Sequence, residues 1–208
     1  DKEGNDAGTF TPKDWSVDVG YARKLTDDLS VGATARFIRS DMSGLDKDDV
    51  ANAVAFDLGL YYRRNFENWE QSQWAVGLQA SNFGTKIDYG YGKYDQASKV
   101  AAGGMIDHVF TDKHRLQGTL DVACQVLPNT NWGGSVGVEY TLLQIVAIRG
   151  GYHYGEQDNK LQRYGTLGCG VGCHHIKADF AYLIPEKDSL LKNTWQVALS
   201  IDLGLFKR

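Results

Sequence analysis

The sequence has no long hydrophobic run and few cysteines, and each shortage argues against a class of protein. No stretch of about 18 apolar residues occurs, so the sequence predicts no membrane-spanning α-helix. The cysteines number 3, an odd count that argues against a disulfide framework. Basic residues are not in excess, since the net charge is −4 and lysine and arginine are dispersed, which argues against a nucleic-acid-binding protein.

Proline is also scarce, at 3 residues, whereas glycine is abundant at 24, with 11 tyrosines and 5 tryptophans. Glycine and aromatic residues in short alternating runs are typical of β-barrels. A chain of 208 residues is long enough for one large β domain or two small domains. It opens with D-K-E-G-N-D, without a signal peptide, so we expect any export signal to be removed or to lie upstream.

The stretch from Asn193 to Leu203 shows the pattern that recurs along the chain. Its apolar residues fall on one parity and its polar residues on the other, as in a strand with two different faces. The length of about nine to eleven residues suits a tilted strand that crosses a bilayer. In a soluble sandwich the polar face would be solvent surface, and in a membrane barrel it would line the lumen; one strand does not decide.

About eleven such strands occur, and no segment has a helical period. The connections between them alternate in length. Short ones are expected at 25–28, 65–70, 111–114, 141–144 and 172–174, and longer ones at 41–52, 82–97, 126–132, 155–163 and 184–191. Short turns at one end and long loops at the other are the arrangement of outer-membrane barrels. The sequence therefore predicts an all-β fold, a transmembrane antiparallel β-barrel.

The polar parity of these strands carries charges of both signs, whereas the apolar parity carries almost none. Such charges would line a wet lumen and pair across neighbouring strands, forming a salt-bridged plug, with a solute path as the alternative. The predicted lumen charges are Asp18, Arg36, Asp57, Arg63, Arg115, Asp121, Glu139, Arg149, Lys177, Asp179 and Asp202.

The strand count bears on the extent of the barrel. The last strand starts from a long loop, so eleven strands place the first residue on the outer side, whereas single-chain bacterial barrels have an even strand number. We therefore expect an odd number of N-terminal strands to be missing, with 1–208 forming the C-terminal part of one larger barrel domain.

Candidate chemical sites are few. Cys169-x3-Cys173-His174-His175 is a group of metal-ligand types, but the spacing favours small strand residues and a turn over a metal site. The glycines of G-C-G-V-G at 168–172 favour strand curvature or the packing of bulky neighbours over nucleotide binding. No G-x-S-x-G elbow occurs, so no catalytic residue is predicted. Trp132 is expected in an interfacial aromatic girdle.

Several ordered stretches resemble a known family. They are S-N-F-G-T-K-I-D-Y (81–89), G-V-E-Y (137–140), R-G-G-Y-H-Y-G-E (149–156), R-Y-G-T-L-G-C-G (163–170), A-D-F-A-Y-L-I-P (178–185) and N-T-W-Q-V-A-L-S-I (193–201). Together the chain resembles the PorV family, outer-membrane barrels of the Bacteroidetes type IX secretion system that are related to the FadL fatty-acid channels. The resemblance is strongest from about 136 to 203.

The resemblance implies a 14-stranded barrel in the outer membrane without catalytic activity. No metal or cofactor is predicted. The resemblance also implies partners: secreted cargo proteins recognised by their C-terminal signal domain, the translocon and the sortase attachment complex. Loops 41–52, 82–97 and 184–191 are then the expected cargo sites. The candidate residues in them are Asp41, Asp46, Asp48, Lys86, Tyr89, Tyr91, Tyr94 and Lys187. The alternatives are a FadL-like channel for small hydrophobic molecules and, third, a lumen-sited enzyme.

Overall fold

A computed structural model describes residues 13–41, 50–90, 92–156, 163–173, 176–186 and 193–201. These residues form strands joined by turns and loops. The strands are β1 (Lys13–Lys24), β2 (Leu29–Asp41), β3 (Val50–Phe66), β4 (Trp69–Gly84), β5 (Ile87–Asp88), β6 (Lys93–Tyr94), β7 (Lys99–Thr111), β8 (His114–Gln125), β9 (Asn131–Leu142), β10 (Val146–Gly155), β11 (Tyr164–Cys173), β12 (Ile176–Pro185) and β13 (Trp195–Ile201). Among these residues, no helix has the length and apolar character needed to span a membrane.

Eleven of the strands form one antiparallel sheet in the order β1-β2-β3-β4-β7-β8-β9-β10-β11-β12-β13. Strands that follow one another in sequence are therefore hydrogen-bonded neighbours in this sheet. The exception is a small separate hairpin of β5 and β6, which is inserted between β4 and β7. The all-β prediction and the count of about eleven strands are confirmed. A single meander of this kind is consistent with a barrel, although the described sheet is open, with β1 and β13 at its edges.

The chain divides into two compact units. Unit 1 comprises Asp1–Leu60, Leu78–Val100 and Gln125–Thr130, and unit 2 comprises Tyr61–Gly77, Ala101–Cys124 and Asn131–Arg208.

The register in unit 2 aligns apolar side chains in rows on one face of the sheet. Ile148 lies opposite Tyr140 on one side and Cys169 on the other. The same row continues from Cys169 to Phe180 and from Phe180 to Val197. Residues opposite each other in an antiparallel pair share a face, so this row runs across five strands. All five side chains are exposed.

The burial pattern is the reverse of that of a water-soluble β protein. In β9, Val136 and Val138 are 50% and 52% exposed, whereas Ser135 and Glu139 on the opposite parity are half-buried. Among the described residues the buried apolar side chains are all alanines, and the largest fully buried side chains are those of Asp107 and Ser72. A contiguous exposed apolar face of this kind marks a surface that contacts lipid or another protein.

The C-terminal strand tests the soluble-sandwich alternative. In a sandwich, Val197, Leu199 and Ile201 would be hidden between two layers, but they are 62%, 67% and 59% exposed. The strand starts two residues later than predicted, since β13 begins at Trp195. Asn193 has a φ of 60°, outside the strand region, and the carbonyl of Thr194 accepts a hydrogen bond from the Leu183 N–H at 3.0 Å.

The connections follow the predicted alternation, with two corrections. β3 starts at Val50 and β4 continues to Gly84, so both strands extend into the predicted loops 41–52 and 82–97. The second loop, which is rich in glycine and tyrosine, contains the hairpin of β5 and β6. The predicted missing N-terminal strands stay a prediction.

Candidate functional site

On the polar face of unit 1, an arginine lies between two carboxylates. Asp18 and Arg36 are directly opposite in β1 and β2, and their side chains form an ion pair at 2.9 Å. The other side of the guanidinium approaches Asp57 of β3 at 3.4 Å. Three consecutive strands thus contribute a negative, a positive and a negative group, so the arginine is shared between neighbours on both sides.

On the polar face of unit 2, a buried carboxylate is held by an arginine and an amide. Asp107 of β7 is 2% exposed. Arg115 of β8 donates two hydrogen bonds to its two oxygens, at 2.7 and 2.6 Å, and the Gln73 side chain of β4 donates a third at 3.0 Å. A bidentate arginine is the strongest common partner for a carboxylate, which explains how the charge is tolerated there.

A second arginine in unit 2 bridges carboxylates that are not on adjacent strands. Arg149 of β10 donates to Glu139 of β9, which lies directly opposite, and also to Asp179 of β12 at 2.5 Å. The intervening strand β11 places Gly170 opposite Asp179, and a Cβ at this position would collide with the Asp179 carboxylate. The glycine therefore leaves the space through which the arginine reaches across a strand.

Acidic and basic groups alternate along this face, so it is polar but nearly neutral. In unit 2 the order across strands is Asp107, Arg115, Glu139, Arg149 and Asp179. These side chains line a cavity of about 560 Å³ that also includes Lys113 and Lys177. Paired charges of both signs do not create the one-signed field that would select an ion.

Four predicted lumen charges take no part in these clusters. Arg63, Asp121 and Lys177 form no ion pair with another described residue, and Asp202 lies outside the described residues. The stem of Lys177 lies beside Gly172, where a Cβ would be 3.2 Å from its Cγ. The assignment of all eleven residues to a lumen stays a prediction.

A bulkier residue at the crossing point of Arg149 should destabilise the fold. Gly170→Val is expected to lower the free energy of unfolding by about 1–3 kcal/mol, because the new side chain overlaps Asp179 and forces the ion pair apart. Urea unfolding of the protein in detergent micelles measures the change. The matched control is Gly118→Val on the apolar face, where an added Cβ meets nothing within 4 Å. Equal losses in both variants would contradict the packing account.

The segment 85–98 in unit 1 is a folded element with exposed charged and aromatic side chains. Ile87 pairs with Tyr94 and Asp88 with Lys93. Ion pairs join Lys86 to Asp95 at 3.0 Å and Lys93 to Asp88 at 3.1 Å. The pKa of the Asp88 carboxyl is lowered, first by a hydrogen bond from the Gly90 N–H and then by Lys93.

Two tyrosines of this segment lie together and attach it to β2. The rings of Tyr89 and Tyr94 meet edge to face with centroids 5.9 Å apart. The hydroxyl of Tyr89 donates to the Ser40 hydroxyl at 2.9 Å, while Tyr94 is 52% exposed. Of the other predicted cargo-site residues, Asp41 ends β2, and Asp46, Asp48, Tyr91 and Lys187 lie outside the described residues.

Sequence reasoning missed the residues that hold the segment in place. Gln96 is buried, and its amide donates to the carbonyls of Thr85 at 2.6 Å and Val54 at 3.0 Å. Asn82 and Ser98 are hydrogen-bonded to each other across the base of the segment, at 2.7 Å. The available signal was weak: S-N-F-G places an asparagine near a glycine at the end of a strand, where left-handed backbone is common.

The model of the type IX secretion system protein PorV family matches residues 1–131, more than half of the chain. The chain belongs to the PorV family. It is accordingly a component of a type IX secretion system, and PorV is not a known enzyme family. No curated protein matches the chain.

The match to PorV covers the Arg36 cluster and the whole of the 85–98 segment. The resemblance noted from the sequence was strongest at 136–203, which lies beyond the matched residues. The two observations overlap at 81–89, one of the stretches that carry the resemblance. The FadL relationship is not in conflict with either.

A metal or catalytic site in this PorV-family chain finds little support in the described residues. They contain no group of three His, Cys, Asp or Glu residues arranged for a metal, and His174 and His175 lie outside them. Ser72 lies 2.9 Å from the His108 ring, but its side chain is fully buried and its oxygen also accepts the Val109 N–H at 3.1 Å. A substrate does not reach such an oxygen.

Aromatic residues occur at both ends of the strands in unit 2. At the short-turn end, Trp69 and His108 have ring centroids 4.5 Å apart, with Phe110 against the same imidazole. At the long-connection end, Trp132 is 55% exposed. Trp132 and Tyr140 share a face of β9 and are separated by about 27 Å along the strand. Because the strands of a membrane barrel are tilted, this distance corresponds to roughly 20 Å along the membrane normal. This spacing is comparable with the apolar band of an outer-membrane barrel.

Proposed function

We propose that this protein is a non-enzymatic outer-membrane component of the type IX system that binds secreted cargo by its C-terminal signal domain. It passes the cargo from the translocon to the attachment complex at the cell surface. The observation that carries the proposal is the folded, exposed hairpin of β5 and β6, at the long-connection end of the strands and within the residues that match PorV.

Support for an outer-membrane location comes from the two faces of the sheet. Hydrocarbon accepts valine and leucine but not unpaired charge, which costs several kcal/mol in the bilayer. In unit 2, Val138, Ile148 and Leu199 are more than half exposed on one face, and the described ion pairs of Arg115 and Arg149 lie on the other. In this account the polar face is the lumen and the long connections are extracellular.

Support for protein capture comes from the character of the 85–98 segment. Lys86 and Lys93 have side chains 55% and 68% exposed, and Tyr94 lies between their ion pairs. Tyrosine adds contact area at a low entropic cost. A hairpin presents strand edges, and a β module such as a signal domain can pair with them. Loops 41–52 and 184–191 are proposed as further cargo loops.

The FadL-like channel is the weaker candidate. A path for small hydrophobic molecules needs an apolar lining, whereas the cavity on the polar face of unit 2 is lined by Asp107, Arg115, Glu139 and Arg149. Paired side chains of this kind act as a plug in a barrel of modest diameter. The paired charges on the polar face of unit 2 therefore favour an adaptor function over a channel function.

Affinity purification from native outer membranes tests the proposal. The tagged protein is expected to recover secreted proteins bearing the C-terminal signal domain, or translocon subunits, after mild detergent extraction. A cargo lacking its signal domain is the control and should not be recovered. The adaptor hypothesis would be wrong if neither class of protein is recovered and liposomes that contain the protein take up a hydrophobic solute. That result would support the channel hypothesis instead.

A further inference from the structure

We infer that Asn82 is a positioning residue that ties the Arg36 ion cluster to the 85–98 segment and thereby sets the geometry of the cargo surface. The effect on cargo rests on the proposed function. The effect on the segment itself does not, since it follows from contacts within unit 1.

Asn82 uses all of its polar groups in this role. Its side-chain oxygen accepts from Arg36 at 2.7 Å, and its backbone N–H donates to Asp57 at 2.7 Å. Its side-chain amide donates to the carbonyl of Ala97 at 3.2 Å, and its own carbonyl accepts from the Ser98 hydroxyl at 2.7 Å. Two of these bonds connect it to the ion cluster and two to the far end of the segment.

The backbone at Asn82 explains why an asparagine stands there. Its φ is 60°, in the left-handed region that most side chains avoid and that asparagine tolerates. This conformation directs the carbonyl toward Ser98 while the amide N–H still faces Asp57. A strand residue with ordinary backbone would not make both bonds.

The other end of the segment converges on the same place. Ser98 is 2% exposed, and its carbonyl accepts the Val126 N–H at 2.8 Å. Gln96 joins the two ends through Thr85, and the Thr85 N–H and hydroxyl both bond to the backbone of Val54, at 2.9 and 3.0 Å. The entry and exit of the segment are therefore fixed to β3 and to each other.

The stability of the 85–98 segment therefore depends on its contacts with the Arg36 ion cluster. Arg36 is shared by Asp18, Asp57 and Asn82, so removing the Asn82 side chain leaves one of its donors without this acceptor. The carbonyl of Ala97 loses its donor in the same step. A change at the Arg36 ion cluster then loosens the hairpin of β5 and β6, although no residue of the hairpin is substituted.

Hydrogen exchange on the full chain in detergent tests the inference. Asn82→Gly keeps the left-handed backbone and removes the side chain. The amides of 85–98 are expected to exchange about tenfold faster, because local opening becomes easier when buried hydrogen bonds are lost. The amides of β9 should not change. Asn52→Gly is the matched control, since Asn52 is exposed and its side chain only accepts from Arg39 at 3.5 Å.

The readouts separate this inference from the proposed function. Unchanged exchange in Asn82→Gly, or an equal rise in Asn52→Gly, would overturn the positioning role whatever happens to cargo. Faster exchange together with about tenfold lower cargo recovery supports the role in capture, since each tenfold in affinity corresponds to the loss of roughly one hydrogen bond. Full cargo recovery despite faster exchange would overturn the link to capture, while an absence of cargo on the unsubstituted protein would count against the proposed function alone.

Discussion

Val138→Arg is expected to lower the free energy of unfolding in lipid vesicles by about 2–4 kcal/mol, the cost of arginine at the midplane of a membrane barrel. Val138 is 52% exposed in the middle of β9, between Val136 and Tyr140 on the apolar face. In the proposed membrane setting its surroundings are hydrocarbon. Unfolding of the reconstituted protein in urea, followed by tryptophan fluorescence, measures the loss.

The matched control is on the same strand. Thr141→Arg places the same group on the polar face, where Thr141 donates to Glu139 at 3.2 Å and lines the polar cavity. There the new charge finds an acidic neighbour, and we expect a change within about 0.5 kcal/mol. Should Val138→Arg also stay within that range, the apolar face would be an ordinary water-exposed surface and the membrane account would be wrong.

Replacing residues 86–95 by a short glycine-serine linker is expected to abolish recovery of cargo while the protein still assembles. The linker removes the exposed side chains of Lys86, Lys93 and Tyr94 but keeps Asn82, Gln96 and Ser98. Thr85 and Gln96 are already joined by a 2.6 Å hydrogen bond, so a short linker closes the gap without strain. Affinity purification from native membranes, with heat-dependent gel mobility as the assembly check, gives the result.

The control for this deletion changes the opposite end of the strands. A glycine-serine insertion between Leu143 and Gln144 lengthens the tight turn between β9 and β10, where both residues already have positive φ. It should leave cargo recovery unchanged. If the linker variant recovers as much cargo as the unsubstituted protein, the 85–98 segment is not the capture surface, and the predicted loops 41–52 and 184–191 become the remaining candidates.

The strands could be predicted because period-two alternation is a local property. Even the A-A-G-G stretch at 101–104, where the parity is unclear, lies inside β7. The first and last residues of the strands were harder to predict, because they depend on the backbone angles of single residues. Asn193 leaves the strand region at a φ of 60°, whereas β4 continues past Asn82 with the same angle.

The pairing of the charges could be predicted only in part. Asp18 and Arg36 are opposite each other in consecutive strands, which alternation and turn length make plausible. The reach of Arg149 across β11 to Asp179 depends on the register of three strands and on the space at Gly170. The hydrogen bonds around Asn82 join residues 15 to 46 positions apart, which no local pattern contains.

The most direct test of the central claim, that the apolar face contacts lipid, is the accessibility of single cysteines along β9 in reconstituted vesicles. With the three native cysteines replaced by alanine, spin labels at 136, 138 and 140 should be relaxed by oxygen dissolved in the bilayer. Labels at 135, 137 and 141 should be relaxed by a water-soluble nickel reagent instead. The expected result is therefore an alternation along the strand between labels relaxed by oxygen and labels relaxed by nickel. Relaxation by the nickel reagent at all six positions would contradict the claim.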